Sequence, residues 1–297
     1  MIMKKRAIAL GFFDGVHIGH AALLRRASEV GKNTGLVPSV ITLDVHPQQI
    51  TRSKEVLLIN SPEDRASIMR RVYGIDDVIF LHFNAQTVTM PWDKFIEHLA
   101  DEFGAEHLIA GADFKFGFGG TGNSKLLVEK CAELGVGCDI IPDVIHDGIV
   151  SSSTYIRELL LCGDIERANI FLGHPHVLTD VVRYGYKLGR TLGTPTINMH
   201  FPAGVLIPAH GVYATRVFLE DGLEQIGVTN IGMRPTVSGD GHVTAETHIL
   251  NFQRNLYGHK VRIEFHKFLR PEIKFSGIDE LKAQIAVDCD DTIQFFG

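Results

Sequence analysis

Several features common in other protein classes are scarce in this chain. Among 297 residues there are four cysteines, Cys131, Cys138, Cys162 and Cys289, and no C-x-x-C pair. That spacing excludes a disulfide framework and a zinc or thiol-exchange motif, so the four are expected as reduced core residues. Positive charge is not in excess, since 29 Lys and Arg stand against 35 Asp and Glu, a formal net charge of −6. Such a chain has no electrostatic footprint for nucleic acid, and a small anionic ligand must be met by local groups. No apolar run approaches the roughly 18 to 20 residues that span a bilayer. The basic segment 1–6 leads only into the short apolar run 7–10 and a glycine-rich turn, so no secretory leader is expected and the cytoplasm is the expected compartment. Low-complexity tracts and internal repeats are also missing.

What remains is an ordinary globular composition, 45% hydrophobic and 22% charged. The length exceeds the roughly 100 to 200 residues of one domain, which predicts two. In the first half, short β-branched or aliphatic runs at 7–10, 37–43, 78–81, 107–110 and 138–141 read as buried strands. They alternate with helical periodicity at 21–30, 62–73, 91–103 and 124–134, which predicts a parallel sheet covered on both faces. Two further helices are expected at 153–162 and 164–172. From residue 177 the texture changes to alternating segments at 177–184, 211–219, 225–231, 243–250 and 260–268. Clusters such as Asp221-Gly222 and Ser238-Gly-Asp-Gly241 separate them, predicting antiparallel hairpins that close into a small barrel. A last amphipathic helix, with Ile278, Leu281, Ile285 and Cys289 at helical spacing, is expected to pack on that barrel. The boundary between halves falls near residues 173–176.

The sharpest local signal is Gly11-Phe-Phe-Asp-Gly-Val-His-Ile-Gly-His20, between a strand and a helix. His17 and His20 share one face of the helix's first turn, where unpaired N–H groups and the positive end of the dipole favour an anion. Gly15 and Gly19 let the main chain approach phosphate, and two imidazoles can donate to oxygens that gain charge as pyrophosphate departs. The alternative is a helix-cap and a surface histidine. A metal site lacks a third ligand at recognisable spacing. His17-Ile-Gly-His20 is also the signature of class I aminoacyl-tRNA synthetases, but the chain is short for one and lacks their lysine-rich second motif.

Gly117-Phe-Gly-Gly-Thr-Gly122 matches the dinucleotide fingerprint literally, yet residues 111–116 separate it from its strand, and a true fingerprint opens a helix at once. Asn123 and Ser124 also break the P-loop pattern, so a mobile loop is expected there. Ser151-Ser-Ser-Thr-Tyr-Ile-Arg157 reads equally well as a phosphate-steering helix start or as a plain N-cap with a surface arginine. Taken alone, Thr196 and Asn198 read as a turn after Pro195, and Glu246 as an exposed strand residue.

Together these segments resemble the prokaryotic bifunctional riboflavin kinase and FAD synthetase family over nearly the whole chain. The first half contributes the Gly11–His20 motif, Leu43-Asp-Val-His-Pro47, Gly111-Ala-Asp-Phe-Lys-Phe-Gly117 and Ser152-Ser-Thr-Tyr-Ile-Arg157. The second contributes Gly189-Arg-Thr-Leu-Gly-Thr-Pro-Thr-Ile-Asn198, Gly227-Val-Thr-Asn-Ile-Gly-Met-Arg-Pro-Thr236, Glu246-Thr-His248, Leu256-Tyr-Gly258 and Leu269-Arg-Pro-Glu-Ile-Lys-Phe275. The resemblance implies an α/β, Rossmann-like doubly wound nucleotidyltransferase domain over 1–175. An all-β, small antiparallel β-barrel riboflavin kinase domain with a C-terminal helix would follow over 176–297.

The implied chemistry is phosphorylation of riboflavin to FMN and adenylylation of FMN to FAD, with ATP and Mg²⁺, and small-molecule flavins as the partners. By the same resemblance Gly11, Phe13, His17, Gly19 and His20 line the adenylyltransferase ATP site, with Ser152, Ser153, Thr154 and Arg157 at its phosphates. His46, Asp113 and Phe116 are implied on the flavin side. In the kinase half, Gly189, Thr196 and Asn198 are implied at the ATP and Mg²⁺ site, with Thr196 and Asn198 holding the metal and Glu246 acting as the base. Phe12, Ser151, Thr194 and Asp180 depart from the family pattern, as does the non-basic loop 118–121.

Overall fold

The computed structural model describes residues 4–45, 56–82, 89–184, 194–234 and 242–297. By their contacts they form two compact units, Met1–Leu58 with Arg65–Ser153, and Ile59–Asp64 with Thr154–Gly297.

In the first unit β1 (Arg6–Leu10), β2 (Val37–Leu43), β3 (Asp77–Leu81), β4 (Ala105–Gly111) and β5 (Gly137–Ile141) make a sheet in the order β3-β2-β1-β4-β5. All four pairings are parallel. Helices α1 (Ile18–Thr34), α2 (Pro62–Tyr73), α3 (Trp92–Phe103) and α4 (Ser124–Leu134) connect the strands. Their ends are chemically marked: α1 stops at Gly35, at φ 78° in the left-handed region, and the Asn123 side chain accepts the Leu126 N–H to start α4. Ile8, Leu10, Leu108 and Ala110 bury one sheet face against Ile96 and Leu99 of α3 and Leu127 and Cys131 of α4. Each of the larger side chains contributes on the order of 1.5 to 3 kcal/mol of transfer free energy.

The chain steps outward from β1 through β2 to β3, then returns to add β4 and β5 on the other side. That reversal opens a crevice beyond the carboxyl ends of β1 and β4, where open α/β sheets take ligands. A hairpin follows, β6 (Ile145–His146) and β7 (Ile149–Val150), with Asp147 and Gly148 both at positive φ in its turn. It was not expected, because two-residue strands leave no periodicity to read. The Gly117–Gly122 stretch holds only a 3₁₀ turn, Phe118–Gly120, and α4 starts after it at Ser124. The stretch is closed by mutual backbone bonds between Phe116 and Gly122.

The second unit begins with α5 (Ser153–Cys162) and α6 (Ile165–Leu172), the latter capped by Asp164. Six antiparallel strands then pair in the order β8-β13-β10-β11-β12-β9: β8 (His176–Val181), β9 (Thr196–His200), β10 (Gly211–Leu219), β11 (Glu224–Arg234), β12 (His242–Ile249) and β13 (Lys260–Arg270). The curled sheet brings its two edges together, since Arg183 bridges to Asn198 and the His200 N–H donates to Asp180 at 2.8 Å. Inside, the buried hydroxyls of Thr215, Thr229 and Thr247 stand in a row with successive oxygens 2.8 Å apart, and Thr215 reaches the Gly227 carbonyl at 2.8 Å.

The structure corrects four expectations in this unit. Thr196 and Asn198 lie on a strand, β9, and not in a turn after Pro195. Five residues bounded by proline were too few to display alternation. Strand β8 stops at Val181, and Tyr184 is 74% exposed. Helix α7 (Ile278–Phe296) half-buries Leu281, Ile285 and Cys289, but Ile278 is 60% exposed and its fully covered positions are Asp288 and Thr292. Cys162 is exposed at the end of α5, not in the core, while all four thiols are free.

Candidate functional site

The motif after β1 is a strained loop. Phe13 and Val16 have φ of 55° and 45°, in a region that costs a non-glycine residue about 1 to 3 kcal/mol and is least tolerated by a β-branched one. His17 then caps α1, its Nδ1 accepting the backbone N–H groups of Gly19 at 3.2 Å and His20 at 3.4 Å. Those two N–H groups are therefore taken up by the cap and do not point at a ligand, contrary to the expectation from sequence. An acceptor Nδ1 also places the neutral ring's proton on Nε2, so His17 is oriented as a donor on its outer edge. Gly19 permits this fold, because a Cβ there would lie 2.9 Å from the capping ring.

The two imidazoles stack at 3.7 Å between centroids, and the Phe13 ring packs on His20 at 5.0 Å. His20 is not a surface histidine. Its Nδ1 is buried without a hydrogen-bond partner, and burial first, then the repulsion a protonated His17 would exert and that of Arg65, hold its pKa well below the ordinary imidazole value. At neutral pH it is therefore an uncharged ring. The Ser151 hydroxyl lies 3.4 Å from His17 Nδ1, and the Ser153 hydroxyl donates to the Asp14 carbonyl at 2.9 Å. Ser152 is half-buried beside them, and Thr154 and Arg157 follow on the first turns of α5.

Beneath the loop lies Arg65 of α2, fully buried. It donates to the carbonyls of Phe12 at 2.6 Å and Leu43 at 3.0 Å and approaches the Thr42 hydroxyl at 3.3 Å. The Phe12 and Phe80 rings cover its guanidinium at 4.7 and 5.3 Å. Burial lowers its pKa to about 10, which still leaves it charged. Nothing in the sequence singled it out, since an arginine in a polar helix reads as solvated surface. On the expected flavin side, Asp113 is exposed just after β4, whereas Phe116 is buried in the core against Phe95 and Phe114. His46 lies outside the described residues.

In the second unit the register of three strands builds the other site. Glu246 of β12 stands directly opposite Asn198 of β9 on one side and Asn230 of β11 on the other. Directly paired side chains share a sheet face with Cβ atoms about 5 Å apart, so amide, carboxylate and amide form one row. Two residues along, on the same face, Thr196 pairs with His248, whose Nδ1 is 2.9 Å from the Pro195 carbonyl. Thr244 also lies on this face and keeps a buried hydroxyl without a partner. Asn230 was part of a recognised motif but not singled out. Its place becomes visible only through cross-strand register. Gly189 lies outside the described residues.

Among the described residues no group of three His, Cys, Asp or Glu side chains gathers for a metal, and no helix is long and apolar enough to cross a membrane. Thr196 and Asn198 instead offer a hydroxyl and an amide oxygen, hard donors of the kind that suit Mg²⁺ when phosphates and water complete its shell.

Family comparisons divide the chain in the same sense. An FAD synthetase family model matches residues 1–155 and a riboflavin kinase model matches residues 172–296. Proteins named bifunctional riboflavin kinase/FMN adenylyltransferase resemble it along nearly the whole length. One from Listeria monocytogenes is 35% identical, covering 98% of this chain and 92% of its own, and one from Bacillus subtilis is 33% identical, covering 98% and 93%. Escherichia coli K12 has another at 33% identity, with 98% and 92% covered. A crystal structure described as a macrolide-efflux protein from Streptococcus pneumoniae superposes with a TM-score of 0.86 at 26% identity, covering 98% of this chain and 95% of its own.

Proposed function

Because the chain belongs to the bifunctional riboflavin kinase/FMN adenylyltransferase family, we propose that residues 1–175 carry FMN adenylylation and residues 176–297 carry riboflavin phosphorylation. The enzyme converts riboflavin to FMN and FMN to FAD, consuming one ATP in each step. We place it in the cytoplasm, with free thiols.

In the kinase half, the terminal ribityl hydroxyl attacks the γ-phosphorus of ATP, a P–O bond to ADP breaks, and Glu246 takes the hydroxyl proton. Asn230 and Asn198 flank Glu246 on the neighbouring strands. Mg²⁺, held by Thr196 and Asn198, would neutralise charge on the transferring phosphate. In the adenylyltransferase half, an FMN phosphate oxygen attacks the α-phosphorus and pyrophosphate leaves. His17 Nε2–H and the neutral His20 ring donate to the oxygens that gain charge. Gly11, Phe13 and Gly19 shape that site. Assignment of Ser152, Ser153, Thr154 and Arg157 to the ATP phosphates, and of His46, Asp113 and Phe116 to the flavin, rests on family resemblance.

The observation that supports the reading is the Asn198–Glu246–Asn230 row, a carboxylate flanked by two amides on one sheet face with the Thr196 hydroxyl two residues along β9. The purified chain with riboflavin, ATP and Mg²⁺ is expected to yield FMN and then FAD on chromatography. Absence of both products would overturn the reading.

A further inference from the structure

Arg65 has no part in the chemistry assigned so far, yet among the described residues it is the largest side chain with no exposed surface. A buried cation is poor evidence for stability, since a well-packed apolar side chain of similar volume commonly does as well or better. What it touches gives a reason for its presence. Its shortest bond, 2.6 Å, ends on the Phe12 carbonyl, which also accepts the Thr42 hydroxyl at 2.8 Å. The next residue is Phe13, the first left-handed position of the strained loop, and four residues further on is His17. A second bond ties the same guanidinium to Leu43 at the end of β2. Strained backbone persists only where its surroundings over-determine it. Here one planar cation fixes the exits of two adjacent strands at the mouth of the crevice.

Charge points the same way. His17 occupies the N–H groups of Gly19 and His20, so the start of α1 offers fewer donors to an anion than an uncapped helix. Arg65 supplies a permanent positive charge below the loop, shielded from water by Phe12 and Phe80. Phe12 is also a position where this chain departs from the small polar residue expected in its family, and the departure places an aromatic face on the guanidinium.

We infer that Arg65 is a positioning residue for adenylyl transfer: it clamps the Phe12 carbonyl so that the Phe13–His20 loop keeps its ATP-binding shape, and it supplies fixed charge for the triphosphate. The inference rests on the adenylyltransferase reading of this unit. The test uses the full chain carrying Arg65→Met, which keeps bulk without charge, and Arg65→Lys, which keeps charge but cannot hold both carbonyls in a planar fork.

For Arg65→Met, kcat/KM for ATP in FAD formation from FMN is expected to fall by about tenfold to a hundredfold, with a raised KM for ATP and riboflavin phosphorylation within about twofold of wild type. Arg65→Lys is expected to fall between the two. A folded Arg65→Met protein with wild-type kcat/KM for ATP would overturn the inference. An equal loss in both reactions would also overturn it, because that pattern marks general destabilisation. Should the methionine variant not fold, Arg65→Lys decides alone: a raised KM for ATP supports the clamp and a wild-type value overturns it. If the unmodified chain makes no FAD from FMN and ATP, the underlying reading itself fails.

Discussion

Arg270 of β13 holds Asp288 of α7 through two parallel hydrogen bonds, Nε to Oδ1 at 2.8 Å and Nη2 to Oδ2 at 2.7 Å. The carboxylate is buried and takes a third bond from Gln284 at 3.0 Å. The helix docks with this polar fork and Thr292 at its covered centre, and with Leu281, Ile285 and Cys289 half-buried around it. Arg270→Met, which strands a buried charge, is expected to destabilise the protein by about 3 to 5 kcal/mol. Urea denaturation followed by circular dichroism measures the loss. A midpoint unchanged from wild type would mean that the fork does not secure the helix.

His17 combines two roles that one substitution can separate. Asparagine is a good N-cap, so His17→Asn should retain most of the helix start while removing the imidazole Nε2 donor. FAD formation is expected to fall by roughly a hundredfold or more with little change in thermal midpoint. Wild-type activity would reduce His17 to a cap. His20→Ala is expected to lower the same rate on a comparable scale, and a folded double variant making FAD normally would refute both assignments.

Glu246→Gln is expected to abolish FMN formation while leaving FAD formation from supplied FMN nearly intact. Glutamine preserves size and much of the hydrogen bonding but cannot accept the proton, and general-base losses run from about a hundredfold to ten-thousandfold. Parallel assays with riboflavin and with FMN separate the outcomes. Unchanged kinase activity would refute the role.

Acid should weaken the second unit through His176. Neither ring nitrogen has a partner, and burial, with a smaller contribution from His174, lowers its pKa from 6.5 to about 3. Because the folded value lies below the unfolded one, this group costs nothing above pH 6.5. Below that the unfolded chain binds a proton that the folded chain refuses, so stability falls with pH from about 6.5 towards 3, by up to about 1.4 kcal/mol per unit. His176→Leu should flatten that slope in urea midpoints compared at pH 7 and pH 5. A slope equal to wild type would remove His176 as its source.

Most of the architecture was legible because its signals are local. The runs 37–43, 62–73, 124–134, 153–162 and 211–219 coincide with the observed elements, since each is a clear apolar run or period and the last four have a cap, proline or glycine at an end. The histidine pair was legible for the same reason: three residues of spacing put both rings on one helix face. Arg65 was hidden because its partners, Phe12 and Leu43, lie 53 and 22 residues away in sequence. Asn230 was hidden because register is a relation between strands that no single strand encodes. The Asp288 centre of α7 ran against the apolar-face rule, since its charge is matched only by a side chain from another element.

The threonine row inside the barrel carries a direction. Each hydroxyl has one proton, and Thr215 spends its own on the Gly227 carbonyl, so Thr229 must donate to Thr215 and Thr247 to Thr229. Sliding one of these strands by two residues would preserve its inward and outward alternation and so escape the hydrophobic penalty that guards against a one-residue slip. It would, however, interrupt this one-way proton order and leave hydroxyls unsatisfied in the interior. The row thus acts as a key that admits a single alignment of β10, β11 and β12, the alignment on whose outer face Glu246 meets Asn230.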